Sequence, residues 1–322
     1  MRRLKILTWH IHGSYLYYLS HANAEFYVLS KPDRPSGYAG RYGHFPWGAN
    51  VHDMPVAELP GKQFDCVLFQ SREHYLDDQH RLLTEAQRRL PRIYLEHDPP
   101  RASPFDTPHP VDDPNVLLVH VTHFNRLMWN NNRTPTVVIP HGVVVPANVR
   151  YRGTEARGIV VVNHLARRGR RLGEDIYRDV RQQIPLDLIG MAADESPGGI
   201  EEVQHDRLPE FITRYRFFFN PIRYTSLGLA VCEAMMLGMP IVGLATTEMV
   251  SAIENGVSGY VYNDLDRLVD AMRGLLRDIR EARRLGEGAR AAARAQFNIA
   301  RFARDWERTF AYVAGYGDAA VR

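Results

Sequence analysis

Position 233 carries a glutamate in the run Leu229–Leu237 (LAVCEAMML), whose other side chains are all apolar. A carboxylate in such surroundings needs hydrogen-bond donors, and the neighbouring hydroxyls of a ribose supply two. Gly228 directly precedes the run. A glycine turn lets backbone approach a ligand, and the unpaired amides and dipole of a helix start favour a phosphate. Thr246, Thr247 and Glu248 follow the next apolar stretch, Pro240–Gly243. Arg167, Arg168, Arg170 and Arg171 cluster around Gly169, a cationic group suited to a diphosphate. A fourth constellation is His10-x-His12. Residues two apart on a strand share a face, and His120 and His123 could add ligands, so a metal site is a competing chemistry.

These groups need elements to position them. The chain has 322 residues, 45% hydrophobic and 24% charged, enough for two cores. Short apolar runs alternate with amphipathic stretches, the pattern of βα units and parallel sheets. Strands are expected at Lys5–Trp9, Phe26–Leu29, Asp65–Gln70, Arg92–Leu95, Val116–Val121 and Thr136–Ile139. The second half restarts with Gly158–Asn163, then Leu186–Ile189, Phe217–Asn220 and Pro240–Gly243. Helices are expected over Tyr75–Arg89, Leu172–Gln183, Leu229–Leu237 and, as one long pattern, Leu265–Gln296. Lys31–Asn50, rich in Gly, Pro and aromatics, reads as an irregular loop. Pro140, Gly142 and Pro146 punctuate the middle, which puts the domain boundary in 146–158. Ligands of open α/β sheets sit at the carboxyl ends of strands. That rule gathers Thr225, Ser226, Leu227, Gly228 and Leu229 with Thr246–Glu248 at one crevice.

The stretch YTSLGLAVCEAMMLGMPIVGLATTEMVSAIENGVSGY resembles the donor-binding signature of retaining GT-B glycosyltransferases, family 4 (group 1 type). Gly228, Leu229, Glu233, Ala234, Met235, Gly238, Pro240, Ile241, Val242, Glu248, Asn255, Gly256 and Gly259 match in order. Thr225 stands where the family has a Glu near the donor sugar or its phosphate, and Thr246-Thr247 replaces its Gly-Gly. More weakly, Val161–Leu165 with Arg167–Arg170 resembles the strand, G-R-L and K-G that hold the diphosphate. His164 falls at the family's Arg, and Arg168 best matches its Lys, with Arg170 and Arg171 as neighbouring candidates. Val138–Val143 (VIPHGV) is similar to the family's V-I-P-N-G-V.

The resemblance implies an α/β, GT-B-like architecture of two Rossmann-like domains with parallel sheets facing a central cleft. Residues 1–150, joined by the C-terminal helix 300–322, would form the acceptor-side domain, and 151–299 the nucleotide-sugar-binding domain. Phe302, Trp306 and Phe310 give that terminal helix an apolar stripe. The implied activity is transfer of a sugar, with retention, from a nucleoside-diphosphate sugar to a hydroxyl acceptor in cell-surface polysaccharide or glycoconjugate synthesis. Glu233 would hold the ribose, Arg168 with His164 and Arg170 the diphosphate, and Glu248 with Thr246 and Thr247 the sugar. On the acceptor side Gly13, with His12 and Ser14, borders the phosphates. His97, inside Glu96-His97-Asp98, lies where a family histidine meets the reacting sugar. No cofactor and no metal are expected.

Three other readings compete: a metal-dependent hydrolase on His10 and His12, a non-catalytic sugar-nucleotide-binding protein, and a non-hydrolysing sugar-nucleotide epimerase. A net charge of +3 gives no case for nucleic acid. Cys66 and Cys232 sit in apolar segments, which fits a reducing compartment. No apolar run approaches the ~20 residues of a membrane span, so the expected place is the cytoplasm, at the inner face of the membrane where the acceptor is lipid-linked. Basic residues among Arg81–Arg92 are candidates for peripheral contact with anionic headgroups.

Overall fold

The structure is a computed structural model and describes residues 2–200 and 202–316. The chain forms two compact units, Met1–Gly142 with Ile299–Arg322, and Val143–Asn298. The passage from one to the other falls at Gly142–Val143, ahead of the 146–158 stretch.

The first unit is a seven-stranded parallel sheet. Its strands are β1 (Leu4–Thr8), β2 (Ala24–Ser30), β3 (Val51–Pro55), β4 (Cys66–Phe69), β5 (Arg92–Glu96), β6 (Val116–His120) and β7 (Thr136–Val138). The spatial order is β3-β2-β1-β4-β5-β6-β7. The order reverses between β1 and β4, which makes their carboxyl ends the crevice where such sheets bind ligands. Leu7, Trp9, Val67, Phe69 and Leu118 belong to the core on one face. The Ile299–Val313 helix packs on this unit: Phe302, Trp306 and Phe310 are buried, with Phe302 on Tyr15 and Phe310 on Phe26.

The second unit has five parallel strands, β8 (Glu155–Val161), β9 (Leu186–Ile189), β10 (Tyr215–Asn220), β11 (Ile241–Leu244) and β12 (Gly259–Tyr262). Their order is β12-β11-β10-β8-β9. The reversal here lies between β8 and β10. Its core includes Val160, Leu188, Phe217, Phe219 and Val242, covered by Ile176, Tyr177, Leu268 and Met272 from helices.

Three expectations are corrected. The Tyr75–Arg89 helix is broken into a π-turn at His74–Asp78 and short helices at Gln79–Leu82 and Glu85–Arg88. Leu83 is extended, and Thr84 with Gln87 forms a reciprocal capping box that starts the chain afresh. Leu265–Gln296 is two helices, because the extended Asp278 ends the first and its carboxylate accepts from Arg280 N and Glu281 N of the second. The sheets also gain the edge strands β3 and β12.

Candidate functional site

In the second unit the cationic, glycine-turn and threonine segments all follow strands of one parallel sheet, so all three stand at its carboxyl end. The Leu229–Leu237 helix forms over the residues expected, with Gly228 at its N-cap and Gly238 (φ +88°) at its C-cap. Glu233 is 8% exposed, between Cys232 and Ala234, both buried. Burial pushes the Cys232 thiol well above its ordinary range, and the adjacent Glu233 charge adds to the effect. Gly228 has an ordinary φ of −69°. No described atom lies within 4 Å of where its Cβ would stand. Neither backbone nor packing within the described fold demands glycine there.

Two sets of bonds tie the three loops together. Arg223, just beyond β10, reaches the loop after β8: Nη1 donates to Arg170 O (2.7 Å) and to Asp175 Oδ1 (2.5 Å), and Nη2 to Asp175 Oδ2 (2.8 Å). Arg223 N and Tyr224 N both donate to Arg171 O at 3.2 Å. The Arg223 guanidinium holds the Asp175 carboxyl below the usual range. Arg170 Nη1 also donates to Asp175 (2.5 Å). Gly173 permits this approach: its φ is +81°, and a Cβ would stand 2.0 Å from Pro221 O. On the other side, Thr246 Oγ1 donates to Ile222 O (3.1 Å), joining the loops after β11 and β10.

The backbone of this end is strained. His164, after β8, Ala192, after β9, and Thr247, after β11, are left-handed at φ of 53°, 54° and 53°. Such conformations in non-glycine residues persist where surrounding structure over-determines them. His164 N donates to Met191 O (2.7 Å) and Met191 N to Asn163 Oδ1 (2.9 Å), which pins the β8 loop to the end of β9.

At the reversal of the first sheet, a polar ladder crosses three strand ends. Thr8 Oγ1 donates to Leu68 O (2.9 Å), and Gln70 Nε2 donates to Thr8 Oγ1 and Trp9 O, both at 3.1 Å. These two acceptors orient the amide so that Gln70 Oε1 faces His97 Nε2 at 3.0 Å. The amide oxygen accepts, so Nε2 carries the proton and Nδ1 the lone pair. Burial, with the His12 and His141 rings nearby, holds the His97 pKa well below the ordinary value. A neutral imidazole of fixed tautomer results. His12 packs edge-on at 4.3 Å between centroids, and Tyr15 touches both His97 (4.8 Å) and His141 (5.8 Å). Arg301 of the terminal helix donates to Pro140 O (2.8 Å) and His141 O (2.5 Å), and so holds His141 in place.

Residues 195–278 match the family model described as glycosyl transferases group 1. Among solved structures, sucrose-phosphate synthase from Thermosynechococcus elongatus superposes with a TM-score of 0.68 at 16% identity, over 97% of this chain and 100% of that one. Anabaena HepE in complex with UDP-glucose gives 0.69 at 13%, over 96% and 100%. AviGT4, a glycosyltransferase involved in avilamycin A biosynthesis, gives 0.63 at 16%, over 97% and 98%. Among curated proteins no sequence match is found. The chain has the GT-B fold, and within its second unit residues 195–278 match the group 1 glycosyltransferase model.

The second unit brings His164, Arg168, Arg170, Thr225–Leu229, Glu233 and Thr246–Glu248 to one sheet end. The first unit brings His12 and His97 into contact and adds His141 and Gln70, which sequence reasoning passed over. Gly13 has a packing role: a Cβ would meet the Phe45 ring at 2.7 Å, so the 31–50 loop covers this turn. Phe45 in turn stacks on Tyr17. Glu96 and Asp98 stay joined, Asp98 N donating to Glu96 Oε1 (2.9 Å), while their side chains also take other partners. Glu96 faces His109 (3.2 Å), and Asp98 pairs with Arg101.

The metal reading fails in the same region. β1 ends at Thr8, so the strand alternation does not reach His10 and His12. His10 Nδ1 meets Gly40 O (2.7 Å) and its ring packs on Trp47, whereas His12 packs on His97. His120 is fully buried on Asn131 while His123 is exposed. Among the described residues no three His, Cys, Asp or Glu side chains gather as metal ligands. No helix among them is long and apolar enough to cross a membrane.

Proposed function

We propose that the chain moves a sugar from a nucleoside-diphosphate sugar to a hydroxyl of a glycan or lipid-linked acceptor, with retention at the anomeric carbon, in polysaccharide or glycoconjugate synthesis. The carrying observation is Glu233, the lone charge of the Leu229–Leu237 helix, buried one turn behind the Gly228 helix start. In this reading Glu233 accepts from the ribose diol, and the helix start adds backbone donors to the phosphates. Arg168, with His164 and Arg170 nearby, stabilises the departing diphosphate by charge-assisted bonds. Glu248, Thr246 and Thr247 orient the sugar. On the first unit, His97, His12 and Ser14 serve the acceptor, His97 as a neutral ring kept in one tautomer by Gln70. HepE, which shares the fold, was crystallised with UDP-glucose, which supports a nucleotide-sugar donor.

The test is a titration of uridine, guanosine and adenosine diphosphates and their sugars against the chain and Glu233→Ala. A lost charge-assisted bond of ~1.5–3 kcal/mol weakens binding roughly ten- to a hundredfold. Unchanged affinity for every nucleotide would refute the assignment. Arginine and a helix start suffice to neutralise the diphosphate, so transfer is expected to persist in excess EDTA. Complete loss restored by a divalent ion would overturn that part.

A further inference from the structure

On the edge of the second unit's sheet, Tyr260, Tyr262, Arg267, Asp270, Gly274 and Glu281 line an open groove of about 460 Å³. It lies between β12 and the Leu265–Arg277 and Ile279–Gln296 helices, beside the edge strand and not at the β8–β10 reversal. Alternation along β12 buries Gly259 and Val261 and turns Tyr260 and Tyr262 to the other face, half-exposed. Their rings are nearly parallel (19°), with centroids 6.2 Å apart. The Arg267 guanidinium lies over Tyr262, 4.2 Å from its centroid. Tyr260 OH donates to Glu281 Oε1 (3.1 Å), and Arg284 holds the same carboxylate at 2.7 and 2.8 Å. Asp270 pairs with Arg273 at 3.2 Å.

We propose that this groove binds a neutral oligosaccharide, holding a glycan chain apart from the donor site. Tyr260 and Tyr262, the latter covered on one face by Arg267, stand as parallel, half-exposed rings in a row, and sugar rings are apolar on their faces and polar at their edges. Tyrosine gives such contact area at low entropic cost. The rim offers both signs of hydrogen-bonding group: a guanidinium donor at Arg267 and carboxylate acceptors at Asp270 and Glu281. Hydroxyls need both. Each carboxylate has an arginine beside it, so the groove carries little net charge and suits a neutral chain over an anionic one. Gly274 faces open space, with no described atom within 4 Å of a Cβ built on it. The inference rests on a glycan being the acceptor or product of the reaction proposed above.

The probes are maltohexaose, cellohexaose and chitohexaose, each titrated into the full chain without nucleotide. At least one is expected to bind saturably. Tyr262→Ala should weaken that binding about tenfold by removing one platform. Gly274→Leu should do the same by filling the groove, and leucine suits a helix better than glycine, so the fold is kept. Both variants should bind UDP, GDP and ADP as the parent does, whereas Glu233→Ala should lose nucleotide and keep hexasaccharide. Failure of all three sugars to bind overturns the proposal, as does binding that neither groove variant changes. Sugar binding abolished by Glu233→Ala alone would place the chain at the donor end and overturn it too. Hexasaccharide binding in the groove without any nucleotide binding would sink the transferase reading and leave the groove standing.

Discussion

The two units use one device, loops at the carboxyl ends of a parallel sheet, with opposite materials. The first builds its end from neutral rings and amides: Gln70, His97, His12, His141 and Tyr15, joined by hydrogen bonds and edge-on packing. The second builds its end from charges and strained backbone: Arg223, Asp175 and Arg170, with His164, Ala192 and Thr247 all left-handed. Twelve of the fourteen histidines lie in residues 1–142, so acid should find the first unit and largely spare the second. A charged end suits a diphosphate donor, and a neutral one suits a hydroxyl nucleophile. The contrast can be broken or sharpened by experiment.

The largest expected effect is acid sensitivity centred on the first unit, although burial also pushes His205 of the second below its ordinary value. His74, stacked on Trp9, and His120, on Asn131, are pushed down to about 4 by burial. Asp78 raises His74 somewhat, and Lys31 lowers it. The unfolded chain takes these protons near the ordinary value of 6.5 while the folded chain refuses them. Stability is therefore complete above 6.5 and drains away as pH falls towards 4. Each of these two histidines contributes on the order of 3 kcal/mol, an upper figure. Trp9, Trp47, Trp129 and Trp306 all belong to the first unit, so tryptophan fluorescence reports it alone. Melts followed this way should drop steeply through that window; a flat midpoint would show that burial of these rings costs the fold nothing in acid.

Next comes the loop-to-loop approach in each unit. Gly173→Ala meets a fixed carbonyl, Pro221 O at 2.0 Å, in a left-handed conformation, whereas Gly13→Ala meets the end of the Phe45 ring at 2.7 Å. Backbone cannot yield as a loop side chain can. Gly173→Ala should cost about 2–4 kcal/mol and weaken nucleotide binding by parting the β8 and β10 loops. Gly13→Ala should cost about 1 kcal/mol, the lower end of overpacking. Denaturant melts of both variants decide it, and equal losses would mean that Phe45 is held as firmly as the backbone.

The same contrast explains what the sequence made legible. The sheet end of the second unit is written locally. Gly228, Glu233, Gly238 and Pro240 lie within one helix and its caps, and their spacing follows from a turn, a helix and a strand. The two doubly wound sheets were likewise readable from runs such as DCVLFQ and VLLVH. The ladder through Thr8, Gln70 and His97 was not, because its members lie 62 and 27 residues apart and only the strand order unites them. Arg223 and Asp175 were missed for the same reason: an arginine after a strand looks like any solvated charge until the neighbouring loop arrives. Two of the basic residues of 81–92 have acidic partners. Arg89 pairs with Glu85 and Arg92 with Asp113. β3 and β12 are short edge strands, and β3 carries a histidine, an aspartate and a proline, too polar for the hydrophobic pattern to mark.

The smallest effect is the most discriminating. Thr247 sits at φ +53°, where the resembled family has glycine, and a β-branched side chain there is strained by about 1–2 kcal/mol. Thr247→Gly relieves that strain but restores about 0.5–1 kcal/mol of entropy to the unfolded chain. The net gain should be a few tenths to about 1 kcal/mol, small beside the losses at Gly173. A strained residue kept against this gradient at a strand end is explained if its side chain shapes the sugar subsite. In that case Thr247→Gly leaves nucleoside diphosphate affinity untouched and changes KM for the sugar donor. If stability falls and KM stays put, the threonine serves the fold, and the strain at this end is structural in origin.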